Sequence, residues 1–484
     1  MILLIVYDIV LMLYLTLENL NTTENASMNK IMFYIALWAA KFAGFAMKVL
    51  GRNASYLPGK IALKLCKGFL GYLTPPKTVI AVTGTNGKTT VSNLVTSILT
   101  ENGYKVTNNG LGSNVQAGVT TTMLQYSTIF GKHKNDIAVL EVDERSSLLI
   151  YPYLKPDYLV CNNIMRDSLK RNAHTEFISY IINSALPEST HMILNADDII
   201  CANLGPNNKT RTYFGMEANC PDGAARQYVQ DIVYCPKCGQ ELKAKYLRYN
   251  HIGRMYCTGC DFASPAPDFA VTSIDTENNT FTVRYQDQEH TYNLINDNIV
   301  NVYNFCSAIA VLKEFGLDFE QIGKGFSQSK IVKTRFDQLQ SGNLKITMQL
   351  AKGQNPIACA RCYNYVSKLE GQNKAIIIMV DDKGDNNGNS ESTCWLYDCD
   401  YSYLTDDSIG QIVFAGPRCR DHLLRAQIAG VNPAKIKLTP DFRGGADILD
   451  TKDVSDVYVL YDPYLLSEAN YVKNKLISMG TEGK

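Results

Sequence analysis

Apolar residues in the first two-thirds of the chain alternate between short continuous runs and helical spacings. The run at residues 78–82 is β-branched and apolar, which is typical of a buried parallel strand. A glycine-rich turn at residues 84–90 follows it, and apolar side chains at residues 91–98 then repeat at helical spacing. Further apolar runs that end in polar residues occur at 136–142, 156–161 and 192–194. This alternation predicts an α/β domain with a doubly wound, mainly parallel sheet.

A second series of apolar runs follows residue 340. The predicted strands are 344–350, 374–380, 411–415 and 457–461, with helical patterns at 357–370 and 418–430. We therefore predict a smaller α/β domain over residues 331–484, after a central domain at 75–330 and an N-terminal hydrophobic, helical segment at 1–74.

The N-terminal segment has two apolar stretches. Residues 1–20 are interrupted by Asp8, lack a basic start and are short for a membrane span, so we interpret Met28 as the true start. An N-terminal membrane anchor is the alternative. Another helix is predicted at 61–71, after a break at residues 57–60.

The second stretch, residues 30–50, has apolar side chains near helical spacing with lysines around them. The apolar set is Ile31, Ile35, Trp38, Phe42 and Phe45, and the lysines are Lys30, Lys41 and Lys48. The pattern predicts a helix packed on the central domain, with a membrane-surface helix as the alternative.

Composition narrows the function classes. A chain of 484 residues is too long for a single hydrophobic core. Its 47 basic and 47 acidic side chains give a net charge of zero, so the chain has no overall positive potential that would attract a nucleic acid. The 14 cysteines are mostly scattered, which fits a reducing cytoplasm better than a disulfide framework. We therefore expect a cytoplasmic protein without a nucleic-acid partner.

The glycine-rich turn has the residues of a phosphate-binding loop between a strand and a helix. Its members are Gly84, Thr85, Asn86, Gly87, Lys88, Thr89 and Thr90. The glycines let the backbone approach an anion, Lys88 reaches outer phosphates and the Thr89 hydroxyl can bind Mg²⁺. Glu141 ends a predicted strand and is our first choice for a second Mg²⁺ ligand, ahead of Asp143 and Glu144. The sequence therefore predicts ATP and Mg²⁺ as cofactors.

Two CxxC pairs predict a structural zinc ribbon at residues 232–263. Cys235 and Cys238 are separated by 18 residues from Cys257 and Cys260. Four thiolates complete a tetrahedron and leave no open position, so the Zn²⁺ is expected to be structural. A third pair, Cys359 and Cys362, has no nearby partner pair and is interpreted as incidental.

The order of several motifs resembles the middle domain of the Mur ligase family. These are GTNGKTT, LEVDE, KPDYLVCNNIMRD, LNADD, VYNFCSAIA and TRFDQL. The resemblance implies that Lys88 contacts phosphate, that Thr89 and Glu141 bind Mg²⁺, and that Asn304 lies at the adenine. It also implies that Arg335 lies at the hinge to the C-terminal domain.

Within that family, residues from about 50 to 484 are similar to the MurT subunits of lipid II isoglutaminyl synthases. The similarity includes YCPKCG and HIG in the ribbon, and CWLYD and AGPR in the C-terminal region. It implies ATP-dependent amidation, through an acyl-phosphate, of the D-glutamate α-carboxylate in the lipid II stem peptide. A GatD-like glutaminase subunit would supply ammonia in a heterodimer, and the enzyme would act in the cytoplasm, peripherally at the inner face of the membrane.

Two departures from the MurT pattern affect the expected chemistry. Gly353 and Gln354 interrupt a Lys-Asn-Pro motif, and Ser392 stands where the family has an aspartate proposed to support the partner's Cys-His pair. Glu391 is the first candidate replacement, and Asp398 and Asp385 are further candidates, although such carboxylates are also ordinary solvated residues. The open alternatives are a stand-alone Mur-like ligase that adds an amino acid, a nucleic-acid-dependent ATPase and a non-catalytic scaffold.

Overall fold

The computed structural model describes residues 25–110, 113–167, 174–217, 230–295, 298–328, 336–351, 353, 355–380 and 393–482. The chain divides into two compact units. The first comprises Met1–Met165, Thr175–Ala225 and Ile232–Ser329, and the second comprises Arg166–His174, Arg226–Asp231 and Lys330–Lys484.

The first unit contains a nine-stranded sheet in the order β11-β10-β9-β6-β5-β4-β1-β3-β2. Its strands are β1 (Thr78–Thr83), β2 (Val106–Asn108), β3 (Ile137–Glu141), β4 (Tyr158–Cys161), β5 (His191–Asn195), β6 (Arg211–Met216), β9 (Phe269–Asp275), β10 (Thr280–Tyr285) and β11 (Gln288–Asn293). Within this sheet, the six pairings that join β2, β3, β1, β4, β5, β6 and β9 are parallel. The pairings of β9 with β10 and of β10 with β11 are antiparallel. The structure confirms the predicted mainly parallel sheet. Strands β7 (Leu242–Tyr249) and β8 (Ile252–Cys257) form a separate antiparallel hairpin.

Nine α-helices are described in the first unit. They are α1 (Asn25–Val49), α2 (Leu57–Leu65), α3 (Phe69–Tyr72), α4 (Lys88–Glu101), α5 (Gln116–Gln125), α6 (Ser147–Ile150), α7 (Thr175–Ala185), α8 (Ile299–Phe315) and α9 (Phe319–Gln328). The prediction of a chain break at residues 57–60 was wrong, because Pro58 lies in the first turn of α2, where its missing N–H costs nothing. The helix predicted at 61–71 is interrupted at Gly68, which has a φ of +75°.

Helix α1 packs on the first unit through a face different from the expected one. Phe33, Leu37 and Ala40 lie in the same core cluster as residues of β1, β3 and β4. Trp38 and Phe45, part of the stripe expected to pack, are exposed instead. By length and composition, residues 29–49 could also cross a membrane, a test that core helices and signal sequences pass as well.

The second unit contains a six-stranded sheet in the order β12-β13-β17-β14-β15-β16, with only β12 and β13 antiparallel. Its strands are β12 (Phe336–Ser341), β13 (Leu344–Leu350), β14 (Lys374–Met379), β15 (Ile409–Ala415), β16 (Ile436–Thr439) and β17 (Asp456–Tyr461). Its helices are α10 (Pro356–Lys368), α11 (Trp395–Asp398), α12 (Cys419–Ile428) and α13 (Leu466–Glu482). All four predicted strands and both predicted helices are confirmed within a few residues.

Strand β14 is apolar along nearly its whole length because it lies inside the sheet, where both of its faces are buried. Ile376 and Ile378 face one core cluster, while Ala375 and Ile377 face another on the opposite side of the sheet. Because helices cover both faces, alternate residues need no polar character.

Candidate nucleotide and metal sites

The predicted phosphate loop connects β1 to α4 with two glycines in left-handed conformations. Gly84 has a φ of +119° and Gly87 a φ of +90°, which few other residues adopt. A side-chain carbon at Gly87 would lie 2.1 Å from Asn304 Oδ1, and one at Gly84 would lie 2.9 Å from the Asn163 carbonyl oxygen. Both positions therefore require glycine for conformation and for space.

The segment after β4 holds this loop in place. The Thr85 N–H donates to the Asn163 carbonyl at 2.9 Å, and the Asn86 N–H donates to Asn163 Oδ1 at 2.9 Å. The Thr85 hydroxyl donates to the Met165 carbonyl at 3.0 Å. The motif KPDYLVCNNIMRD by itself indicates no role for Asn163; the signal in the sequence is the position of Asn163 directly after a predicted strand.

Lys88 begins α4 and is paired with a carboxylate. Its Nζ donates to Glu144 Oε1 at 2.7 Å and to the Gly84 carbonyl at 2.5 Å. Burial alone would lower the pKa of Lys88, but the adjacent Glu144 carboxylate outweighs it, so the pKa is raised. The ammonium is therefore charged at neutral pH. Glu144, a lesser choice for the Mg²⁺ site, contacts the lysine in this structure.

Thr89 and Glu141 meet at one edge of the sheet. The Thr89 hydroxyl donates to Glu141 Oε2 at 2.7 Å, and Asn114 Nδ2 donates to Glu141 Oε1 at 2.8 Å. Strands β1 and β3 are parallel neighbours, so the loop after one lies beside the carboxyl end of the other. A hydroxyl and a carboxylate oxygen are suitable ligands for Mg²⁺.

Asn304 lies on α8 against the loop. Asn162 Nδ2 donates to Asn304 Oδ1 at 2.9 Å, which fixes the side chain beside Gly87. The preceding residue, Tyr303, donates its hydroxyl to the buried Asp197 Oδ2 at 2.7 Å. Burial raises the pKa of Asp197, although the Arg254 guanidinium and the Tyr303 hydroxyl oppose the effect.

The four cysteines of the two CxxC pairs converge at the hairpin β7–β8. Their Sγ atoms all lie within 4.8 Å of one another, with 3.5 Å between Cys235 and Cys260 and 3.4 Å between Cys238 and Cys257. Four ligands at the usual Zn–S distance would be about 3.8 Å apart in a tetrahedron. The cluster therefore fits a zinc ion, with no ligand position left for water or substrate.

Two side-chain contacts to carboxylates attach this hairpin to the residues that follow β5. Arg254 Nε lies 3.0 Å from Asp197 Oδ1, and His251 Nε2 lies 3.2 Å from Asp198 Oδ1. Both carboxylates are buried. The motifs LNADD and HIG are far apart in the sequence, and nothing in their spacing indicates that they meet.

The remaining candidates belong to the C-terminal region. Arg335, Asp385 and Glu391 lie outside the described residues. Asp398 ends α11, and its Oδ2 accepts a hydrogen bond from Arg166 Nη1 at 3.3 Å, both residues being assigned to the second unit. Asp398 therefore already has a cationic partner.

Comparison with known proteins matches two regions to family models. Residues 82–255 match the Mur ligase middle domain, and residues 352–463 match the MurT ligase C-terminal domain. The first match covers strands of the nine-stranded sheet, and the second covers strands of the six-stranded sheet.

Relatives match over most of the chain. MurT subunits of lipid II isoglutaminyl synthase from Staphylococcus aureus and Streptococcus pneumoniae are 28% and 29% identical, over 87% and 88% of this chain and 93% of each relative. A pseudomurein peptide ligase type C from Methanothermus fervidus, 20% identical, shares the fold with a TM-score of 0.62 over 83% of this chain and 79% of the ligase. The chain is therefore an ATP-dependent ligase that is similar to the Mur ligase family in its middle region and to MurT ligases in its C-terminal region.

Proposed function

We propose that this chain is the synthetase subunit of a lipid II isoglutaminyl synthase. It would amidate the α-carboxylate of D-glutamate in the lipid II stem peptide to D-isoglutamine, as a step of peptidoglycan synthesis. The observation that carries the proposal is the complete GTNGKTT loop, with Lys88 and Thr89 each bonded to a carboxylate, in a chain that has MurT relatives.

The chain's own residues have defined tasks in this proposal. The N–H groups at the start of α4 and the Lys88 ammonium would bind the phosphates of ATP, with Asn304 toward the adenine and Arg335 at the hinge. Thr89 and Glu141 would hold Mg²⁺, which neutralises charge on the phosphates when bound. Because Lys88 is paired with Glu144, the phosphates would compete with that carboxylate for the ammonium.

The reaction would proceed in two balanced steps. A carboxylate oxygen of the D-glutamate takes the γ-phosphoryl group, which gives an acyl-phosphate and ADP. Ammonia then attacks the carbonyl carbon and gives up one proton. The bond between that carbon and the phosphate oxygen breaks, and inorganic phosphate leaves with the former carboxylate oxygen and the proton. Fixed donors around the loop would stabilise the charge that develops during the transfer.

We infer that the ammonia comes from a separate glutaminase subunit. None of the 14 cysteines lies in a Gly-x-Cys-x-Gly sequence, the usual setting of a nucleophile elbow. Glu391 and Asp398 are the candidates for the carboxylate that supports the partner's histidine in place of Ser392. Since Asp398 is ion-paired with Arg166, Glu391 is the preferred candidate.

The test is mass spectrometry of lipid II after incubation with the full chain, ATP, Mg²⁺ and ammonium. We expect the small mass loss of a carboxylate converted to an amide. Lys88→Ala should abolish it, whereas Lys324→Ala, which changes an exposed lysine that is ion-paired with Glu320, should leave it intact.

The outcomes separate the alternatives. Product with ammonium but not with glutamine would support a missing glutaminase subunit. A mass gain with free amino acids, and none of the expected loss with ammonium, would replace the proposal with an amino-acid-adding ligase.

A further inference from the structure

The exposed face of α1 has large apolar side chains in one row. This N-terminal apolar stripe consists of Ile31, Trp38, Phe42, Phe45 and Val49, each between 51% and 70% exposed. Their spacings of 7, 4, 3 and 4 residues place them on one side of the helix. Singly exposed apolar residues are ordinary, but a continuous row of them marks an interaction surface.

A neighbouring loop extends the stripe. Ile129 and Phe130 follow α5 and are 59% and 70% exposed. Trp38 Nε1 donates to the Ile129 carbonyl at 2.9 Å, which holds the loop against the helix. The apolar surface therefore includes a second segment fixed beside the first.

The charged residues of the segment that contains the stripe all have one sign. Residues 25–77 contain no aspartate or glutamate, and their eight cations are Lys30, Lys41, Lys48, Arg52, Lys60, Lys64, Lys67 and Lys77. All of these except Lys41 are exposed. Since the whole chain has zero net charge, the positive charge is concentrated in this segment.

We propose that α1 and the loop at 129–130 dock the first unit on a bilayer surface that contains anionic lipid. Apolar and tryptophan side chains would enter the interfacial region while the surrounding lysines contact lipid phosphates. A second copy of the same surface is disfavoured, because the exposed cations of one segment would face those of the other.

The helix would lie in the interface and not cross it. Its opposite face has Phe33, Ala36, Leu37 and Ala40 at 0–4% exposure in the core of the first unit. Spanning the bilayer would require these residues to leave that core. The proposal does not depend on the chemistry proposed above, because vesicles without substrate test it.

The experiment is co-sedimentation of the full chain with phosphatidylcholine vesicles, with and without phosphatidylglycerol, at low and high salt. We expect binding that requires the anionic lipid and weakens with salt. Phe42→Ser/Phe45→Ser and Lys48→Glu/Arg52→Glu should each reduce the partition coefficient at least about tenfold.

Matched variants on other surfaces control for altered exposure and net charge. Leu424→Ser/Ile428→Ser changes two exposed apolar residues of the second unit, and Lys243→Glu/Lys245→Glu changes two exposed lysines of β7. Both controls should bind vesicles like the parent chain.

Three results would overturn the proposal. The parent chain could fail to bind anionic vesicles. The stripe variants could bind as tightly as the parent, which would assign binding to another segment. Sedimentation equilibrium could reveal a dimer that Phe42→Ser/Phe45→Ser disrupts without any vesicle binding, which would assign the stripe to a second copy.

Discussion

Gly87 has a φ of +90° and lies against Asn304, so a side chain at this position would be opposed by its backbone conformation and by a neighbouring atom. Gly103 has a similar φ of +85° but no atom within 4 Å of the place where a side-chain carbon would stand. A substitution at Gly103 therefore measures the free-energy cost of the backbone conformation alone, whereas one at Gly87 adds the cost of the steric contact.

We predict that Gly103→Ala lowers the free energy of unfolding by about 1–2 kcal/mol, the cost of a left-handed alanine. Gly87→Ala should lower it by a further ~1–3 kcal/mol through overpacking, and should weaken ATP binding. Urea unfolding and nucleotide titration measure the two effects. Equal losses for both variants would mean that the Asn304 contact relaxes freely.

Thr89 is bonded to Glu141 through its hydroxyl, and both are candidate ligands for Mg²⁺. We predict that Thr89→Val, which keeps the shape but removes the oxygen, lowers the rate of amidation about 10²-fold or more. The rate should also need more Mg²⁺ for saturation. Thr89→Ser restores the hydroxyl and should retain most of the rate; an equally inactive serine variant would contradict a role as ligand.

At the scale of elements, the hairpin β7–β8 connects the cysteine cluster to the main sheet. Arg254 and His251 on the hairpin contact Asp197 and Asp198 after β5, and Asp197 also accepts from Tyr303, the neighbour of Asn304. The cysteine cluster therefore stabilises the hairpin, and the hairpin contacts Asp197, which is bonded to the neighbour of Asn304.

We predict that Cys238→Ser removes bound zinc and lowers the melting temperature of the first unit. Zinc-finger peptides gain about 10–16 kcal/mol from metal, so loss of a ligand should be large compared with an ordinary surface change. Elemental analysis and thermal unfolding measure it. Cys394→Ser changes another exposed cysteine and should alter neither result; full zinc content in Cys238→Ser would exclude this cysteine as a ligand.

In the molecule as a whole, the two units have separate hydrophobic clusters. Each unit contains one of the two tryptophans of the chain. Trp38 lies on α1, and Trp395 is buried beside His422 in the second unit. In a Trp38→Phe background, tryptophan fluorescence therefore reports the second unit alone.

His422 makes that unit sensitive to acid. Burial lowers the pKa of His422 from 6.5 to about 4, and its Nδ1 lies 2.6 Å from the Tyr401 hydroxyl. The folded chain thus favours the neutral ring, while the unfolded chain takes up a proton once the pH falls below about 6.5. Stability is fully present above that pH and decreases as the pH falls toward 4.

We predict a loss of up to about 3 kcal/mol from His422 across this interval. Urea unfolding of the Trp38→Phe chain at several pH values measures it. His422→Gln cannot titrate there, so its stability should depend less on pH. Parallel pH curves for the two chains would show that another group is responsible.

The local features of the fold follow from the order of the residues alone. Continuous apolar runs identified the central strands because both faces of each sheet are covered, and the order strand, glycine turn, helix identified the loop at Gly84–Thr90. The spacing of the cysteines predicted that all four would meet. Each of these patterns is contained in a few neighbouring residues, or in two short motifs that one metal ion would join.

Which distant residues meet depends on the three-dimensional arrangement of the strands. The pairing of Lys88 with Glu144, the contact of Asn304 with Gly87 and the attachment of Arg254 to Asp197 all depend on how parallel strands align their ends. The structure also decided which face of α1 is buried. Both faces are apolar, so periodicity predicted the helix but could not distinguish its core side from its exposed side.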